Sequence, residues 1–137
     1  MVSSDALGFY EEKELQILSD LVLNTNEIDW KPAIILSKLY LEKFGKIRLK
    51  QIVKNRKIKL DKKIERLSLN EVALFLYTLH EINSKEFTEN NKIQSAQNKI
   101  VHPKKTSNTI FSGDKANKQY KPLIDIAVQI ISRLKNN

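Results

Sequence analysis

The stretch SLNEVALFLYTLHEI, residues 68–82, decides the fold class because it contains the clearest helix start in the chain. Ser68 and, three residues later, Glu71 form a capping box, in which each side chain accepts a hydrogen bond from the backbone amide of the other residue. Apolar side chains then occupy nearly every side of the predicted helix, which indicates a central and deeply buried element. We interpret His80, inside this run, as a structural histidine.

Two helices are predicted before the central run. The first covers residues 9–23, where leucines at helical spacing form one face and acidic residues the other. The second begins at Asp29, a good N-cap, and tolerates Pro32 in its first turn. Its apolar stripe ends at Gly45, which is a C-cap signal, and Trp30 is expected to pack at its start.

Residues 46–60 fit two kinds of structure. The alternation of basic and apolar residues predicts a short strand hairpin or an irregular segment, with Asn55 in the turn. The same residues also fit a basic helix from Ile47 to Asn55. We favour the helix because the neighbouring segments are all helical.

Two helices are predicted after the central run. Thr88 is a candidate cap for the first of them, which ends at His102. A polar loop follows, and Pro122 either begins the final helix or lies inside a longer one that starts near Asp114. The sequence therefore predicts an all-α fold, a single compact domain over residues 1–137 with about five helices.

The composition excludes several kinds of site. A chain of 137 residues suits one domain with one hydrophobic core. It has no cysteine, and its two histidines, His80 and His102, are too few for a metal centre, so we predict neither a metal nor another cofactor. No secretory leader and no apolar run of about 20 residues is visible, so we expect a cytoplasmic protein without membrane association.

The positive charge is concentrated in two tracts. Residues 43–66 hold eleven Lys or Arg against two acids, and residues 83–122 hold eight Lys against three acids, whereas residues 1–42 are acidic. These tracts predict a polyanionic partner, RNA, although a solvated surface is an equally good explanation. The candidate RNA contacts are Lys50, Lys54, Arg56, Lys57, Lys99, Lys104 and Lys105.

A second stretch, AQNKIVHP at residues 96–103, carries the candidate chemistry. His102 is followed by a proline, which disfavours helical geometry, so the imidazole is expected at the end of a helix. An imidazole can take and give protons at neutral pH. Gln97 places a polar amide on the apolar stripe of Ile93 and Ile100, where it either makes a core hydrogen bond or faces a partner.

The residues Gln97, Asn98 and His102 resemble the motif of the HEPN superfamily, a group of helical nucleotide-binding and RNA-cleaving domains. The family motif is an Arg, often followed by Asn, and a His after a short interval; here four residues separate Gln97 from His102. Gln97 stands where the family has its Arg. The resemblance covers residues 68–134, which include the helix end, the following loop and the final helix.

The resemblance implies a metal-independent endoribonuclease of a toxin–antitoxin or phage-defence system, which acts as a homodimer and has an antitoxin or defence protein as a partner. In that chemistry the RNA 2′-OH attacks the neighbouring phosphate, the Arg stabilises the developing charge, and the His moves the proton. The catalytic candidates are therefore His102, Gln97 and Asn98. Because Gln97 carries no charge, we expect an inactive form, either a natural RNA-binding member or an engineered substitution.

Two hypotheses of other classes remain open. The chain is either a non-catalytic RNA-binding module, with residues 43–63 as its surface, or a protein-interaction module that docks a partner. In the second hypothesis the docking surface is the stripe of Ile93, Ala96 and Ile100. For a homodimer, the same stripe together with Gln97 is expected to face outwards.

Overall fold

The computed structural model describes residue 16 and residues 29–60, 62–102 and 110–135. Within them the chain forms four packed helices: α1 (Lys31–Arg56), α2 (Leu69–Thr78), α3 (Ser84–Val101) and α4 (Asp114–Lys135). A short 3-10 helix, Ile64–Arg66, lies between α1 and α2. No strand occurs among the described residues, which confirms the all-α prediction; of the helix predicted at 9–23, only Gln16 is described.

The central helix is α1, because it packs against α2, α3 and α4. The prediction that residues 68–82 form the most buried helix is wrong. α2 has only ten residues and packs against α1 and α3 but not α4, so part of its apolar surface stays open: Leu74 is 53% exposed and Tyr77 41%. The side chains that are almost completely buried in the core are Trp30, Ile34, Leu41, Leu49, Leu69, Val72, Ile93, Tyr120, Ile124, Ile130 and Ile131.

Gly45 does not end a helix, contrary to the prediction. α1 continues through it to Arg56, so the helical interpretation of residues 46–60 is confirmed up to that point and the hairpin is wrong. Gly45 is buried where α2 crosses α1, and a Cβ atom added to it would lie 2.6 Å from Cγ1 of Val72. The glycine therefore permits the close approach of two helices. α1 ends instead at Lys57, which adopts the left-handed conformation with φ 53° and ψ 42°.

Two capping boxes set the starts of α2 and α3. In the predicted box, Ser68 Oγ accepts from the Glu71 amide at 3.2 Å and Glu71 Oε1 accepts from the Ser68 amide at 3.1 Å. The second box, Asn83 and Glu86, starts α3 five residues earlier than predicted. Thr88 is therefore not a cap; it lies inside α3, where its hydroxyl donates to a backbone carbonyl one turn earlier.

One end of the bundle is fixed around Trp30. Its side chain is fully buried, as expected, and its Nε1 donates to Oδ1 of Asn117 at 2.7 Å. The Trp30 backbone amide also donates to the carbonyl of Phe111 at 2.9 Å. The start of α1 is thereby held beside the start of α4. α4 begins at Asp114 and contains Pro122 in its interior, which confirms the predicted alternative of a long final helix that starts near Asp114.

The opposite end is fixed by two bidentate ion pairs. Arg48 of α1 donates from Nε and Nη2 to the carboxylate of Glu81, at 3.1 and 3.0 Å. Arg133 of α4 contacts both carboxylate oxygens of Glu86 at 2.8 Å and also donates to the carbonyl of Glu81. The start of α3 and the end of α4 therefore meet here, beside the second half of α1. α3 runs antiparallel to both α1 and α4.

Candidate nucleic-acid interface

The end of α3 carries the predicted catalytic residues. α3 ends at Val101, and His102 leaves helical geometry with φ −124° and ψ 69°, while its backbone amide donates to the carbonyl of Asn98 at 2.8 Å. The helix thus ends where the proline at position 103 predicted. The His102 side chain is exposed, so it is accessible to a ligand in solution.

Gln97 and Asn98 belong to a cluster of three amides. Nε2 of Gln94 donates to Oε1 of Gln97 at 3.3 Å and to Oδ1 of Asn98 at 3.1 Å. Gln97 is half-buried and Asn98 exposed. The cluster offers hydrogen bonds to a phosphate but no positive charge, and charge-assisted bonds are roughly twice as strong as neutral ones. The sequence analysis missed Gln94, although it lies three positions before Gln97 and hence on the neighbouring turn.

The apolar stripe beside Gln97 faces inwards. Ile93 is 1% exposed and Ala96 6%, and Ile100 packs against the same core. The expectation that this stripe faces a second copy or another partner is therefore wrong, because α3 uses it to pack within the bundle. Gln97 and His102 are five positions apart, which is a rotation of about 140° around a helix. His102 leaves helical geometry after Val101, so its side chain departs from the direction that this rotation gives.

Ion pairs neutralise part of the basic tract at residues 43–66. Nζ of Lys50, a predicted RNA contact, lies 2.7 Å from Oε1 of Glu65, and this hydrogen bond lowers the pKa of the Glu65 carboxyl. Lys50 is therefore a weaker phosphate contact than the sequence suggests. Within this tract, described carboxylates pair with Lys46, Arg48, Lys50 and Lys62.

A second group of exposed cations in this tract forms no ion pair with any residue that the structure describes. We call it the α1-end cluster. Its members lie at the end of α1 and on the connection that follows it. This connection runs back beside α1, as shown by the hydrogen bond from Nζ of Lys46 to the carbonyl of Glu65 at 3.0 Å. The predicted contacts Lys54, Arg56 and Lys57 belong to it. The full α1-end cluster is Lys54, Arg56, Lys57, Lys59, Lys63 and Arg66.

The predicted RNA contacts do not form one surface. Lys99 lies near the end of α3, close to the starts of α1 and α4, whereas the α1-end cluster lies at the other end of the bundle. Arg48 pairs with Glu81 beside the start of α3, and α1 continues for eight more residues, so the end of α1 and Lys99 are separated by more than the length of α3, about 27 Å. Lys104 and Lys105 lie outside the described residues.

A groove between α3 and α4 adjoins Lys99. It consists of two cavities of about 360 and 380 Å³, which share Lys99, Gln119 and Tyr120. The Tyr120 ring stacks on Phe111 with centroids 5.4 Å apart, and burial raises the pKa of the Tyr120 hydroxyl, which remains protonated at neutral pH. Sequence analysis missed this groove because its walls come from segments about twenty residues apart that only the fold brings together.

Neither Gln97 nor His102 lines this groove, so the predicted catalytic residues and the concave surface are separate features. No known protein family, curated protein or solved structure matches the chain. Function therefore has to be argued from the side chains themselves.

Within the described ranges, no group of three or more His, Asp or Glu residues is placed to hold a metal ion, and no helix is long and apolar enough to cross a membrane.

Proposed function

We propose that this protein is an RNA-binding helical domain whose main contact surface is the α1-end cluster. The observation that carries the proposal is the contrast within one tract. Lys46 and Arg48 are held by carboxylates of the fold, whereas the six cations of the cluster are exposed and none has a described carboxylate within ion-pair distance. After the hydrogen bond from Lys50, the charge of Lys63 makes a smaller contribution to the lowered pKa of Glu65. Exposed cations without a paired carboxylate attract the phosphates of a polyanion.

RNA is favoured over other polyanions by the resemblance of Gln97, Asn98 and His102 to the HEPN motif. The cluster has both kinds of phosphate ligand. Arg56 and Arg66 present planar forks that suit two phosphate oxygens at once, and the lysines act as point charges. Such contacts hold a backbone without selecting its bases, so the cluster is expected to bind RNA with little sequence preference.

The first prediction tests the cluster. Replacing Lys54, Arg56 and Lys57 with Gln is expected to weaken binding of a fluorescent oligoribonucleotide by about tenfold or more at moderate salt. Each lost phosphate contact also removes about 0.7 from the slope of log affinity against log salt for a single strand, so the slope should fall by about 2. Fluorescence anisotropy at four or five salt concentrations measures both quantities.

The matched control removes the same amount of charge at the other end of the bundle, with Lys31, Lys118 and Lys121 changed to Gln. That variant should retain most of the affinity and most of the salt slope. If both variants lose affinity equally, net charge alone attracts the RNA, and the α1-end cluster is not the binding surface.

A second function, a HEPN-like metal-independent ribonuclease, is supported by one observation. α3 ends at His102 in an all-α bundle and leaves that side chain exposed, as a proton-transfer group at a helix end requires. In the HEPN family two copies complete the site, so this candidate implies a homodimer. With Gln97 in place of the Arg, this form would bind RNA without cutting it. A role in a toxin–antitoxin or defence system, and a partner protein from it, belong to this second candidate.

A further inference from the structure

The groove between α3 and α4 has a floor of buried, mainly apolar side chains. Ala96, Ala116, Tyr120 and Leu123 each line it, and each is 6% exposed or less. The two cavities have volumes of about 360 and 380 Å³, within the range of about 300–1,000 Å³ typical of small-molecule sites. The groove therefore has room for a flat aromatic group, and the surface that lines it is a mixture of polar and apolar atoms.

The rim of the groove is exposed and carries positive charge. Lys99 lies where the two cavities meet and Lys115 lines the second one, and neither forms an ion pair with a described residue. Lys92, at the edge of the first cavity, pairs with Glu89 at 3.3 Å. The carboxylate of Asp114 also lines the second cavity and offsets part of its positive charge. The excess of positive charge therefore falls on Lys99, between the two cavities.

We propose that this groove binds one nucleotide, with its base against the apolar floor and its phosphate at Lys99 and Lys115. The inference deepens the proposed RNA binding and rests on it, because the nucleotide would be one unit of the bound strand. The Gln119 amide, which both cavities share, both donates and accepts hydrogen bonds, so it can bond to the edge of a base. The Tyr120 hydroxyl provides a further donor.

The groove also brings a phosphate close to His102. Lys99 lies in the last turn of α3 and precedes His102 by three positions. A strand whose base occupies the groove therefore carries a phosphate past the exposed imidazole. This placement follows from α3 alone and does not depend on the identity of residue 97.

The experiment is an NMR titration of the full chain, labelled with ¹⁵N, with adenosine 5′-monophosphate, adenosine, inorganic phosphate and a short oligoribonucleotide in turn. The monophosphate is expected to shift the amide signals of Lys99, Ala116, Gln119 and Tyr120. It should bind about tenfold or more tightly than adenosine or phosphate, because only the nucleotide uses both the floor and the rim.

Two variants remove the same charge from the same region. The double variant Lys99→Gln, Lys115→Gln should bind the monophosphate about tenfold more weakly. The double variant Lys118→Gln, Lys121→Gln, whose changes lie outside the groove, should bind it with unchanged affinity. A third variant, Gln119→Trp, fills the groove from its exposed rim and should abolish binding. The indole N–H signal of Trp30, which is bonded to Asn117, shows whether each variant has kept the fold around the groove.

Three outcomes have different meanings. Equal weakening by both double variants, or signal changes confined to the α1-end cluster, overturns the nucleotide site. An oligoribonucleotide that binds at the α1-end cluster while the monophosphate does not bind overturns the groove and leaves the RNA-binding function standing. Monophosphate binding in the groove without oligoribonucleotide binding overturns both RNA binding and the assignment of the groove to one unit of a bound strand.

Discussion

Gln97→Arg is expected to give the protein a metal-independent ribonuclease activity at least about a hundredfold above that of the Gln97 form. The Arg would add a charged, bidentate donor where negative charge develops on the phosphate, and one such contact contributes about a hundredfold or more in rate. Gln97 is half-buried, so the longer Arg side chain can keep its stem against the bundle and place its guanidinium at the surface. Cleavage of total and transfer RNA in the presence of EDTA measures the activity, and a 2′,3′-cyclic phosphate end identifies the 2′-OH as the nucleophile.

The two histidines of the chain provide the control for this experiment. His102→Ala in the Gln97→Arg background should abolish cleavage. His80→Asn should leave it intact, because His80 lies in the turn between α2 and α3 with φ 62°, at the far end of α3 from His102, and Asn tolerates that conformation. A folded Gln97→Arg protein that binds RNA and cuts none would remove the ribonuclease candidate and leave the binding function.

Glu86→Ala is expected to lower the free energy of unfolding by about 3 kcal/mol. The Glu86 carboxylate is at the same time the second half of the α3 capping box, through the Asn83 amide at 2.9 Å, and the partner of both Arg133 nitrogens at 2.8 Å. The residue is 8% exposed, so water compensates little for these bonds. Arg133 is itself partly exposed and becomes solvated when its partner is removed, which keeps the loss below that of a fully buried pair.

Glu89→Ala is the matched control, on the same helix and with the same change. Glu89 pairs with the exposed Lys92 at 3.3 Å across three positions, and such pairs contribute about 0.5 kcal/mol or less. Urea unfolding followed by circular dichroism gives both values. If the two variants lost equal stability, the Arg133–Glu86 pair would not hold α4 to α3 in the way that its geometry indicates.

The features that sequence alone predicted correctly depend on chemistry within a few residues. The Ser68–Glu71 box and the helix end at His102 are examples, because a cap or a following proline acts locally whatever the rest of the fold does. Gly45 shows the limit of such arguments. A glycine after an apolar stripe looks like a C-cap, and only the position of Val72 in a different helix reveals why the glycine is needed.

The candidate site shows the same division. His102 was placed at a helix end from its proline neighbour, but the pairing of Lys50 with Glu65, which removes it from the group of unpaired cations, depends on how the connection returns along α1. Gln97 lies on an apolar stripe in both the sequence and the structure. Whether that stripe faced the core or a partner could not be decided before the packing of α3 was known.

If both proposed sites bind RNA, the distance between the α1-end cluster and the groove would make the domain a bivalent ligand. A stacked strand advances about 3.4 Å per nucleotide, so a separation longer than α3, about 27 Å, corresponds to more than about eight nucleotides. A shorter oligonucleotide reaches one end only and binds with the affinity of that end. A longer oligonucleotide that is bound at one of the two sites meets the other site at a high effective concentration. Affinity should therefore rise sharply with oligonucleotide length near this threshold, and not in proportion to the number of phosphates.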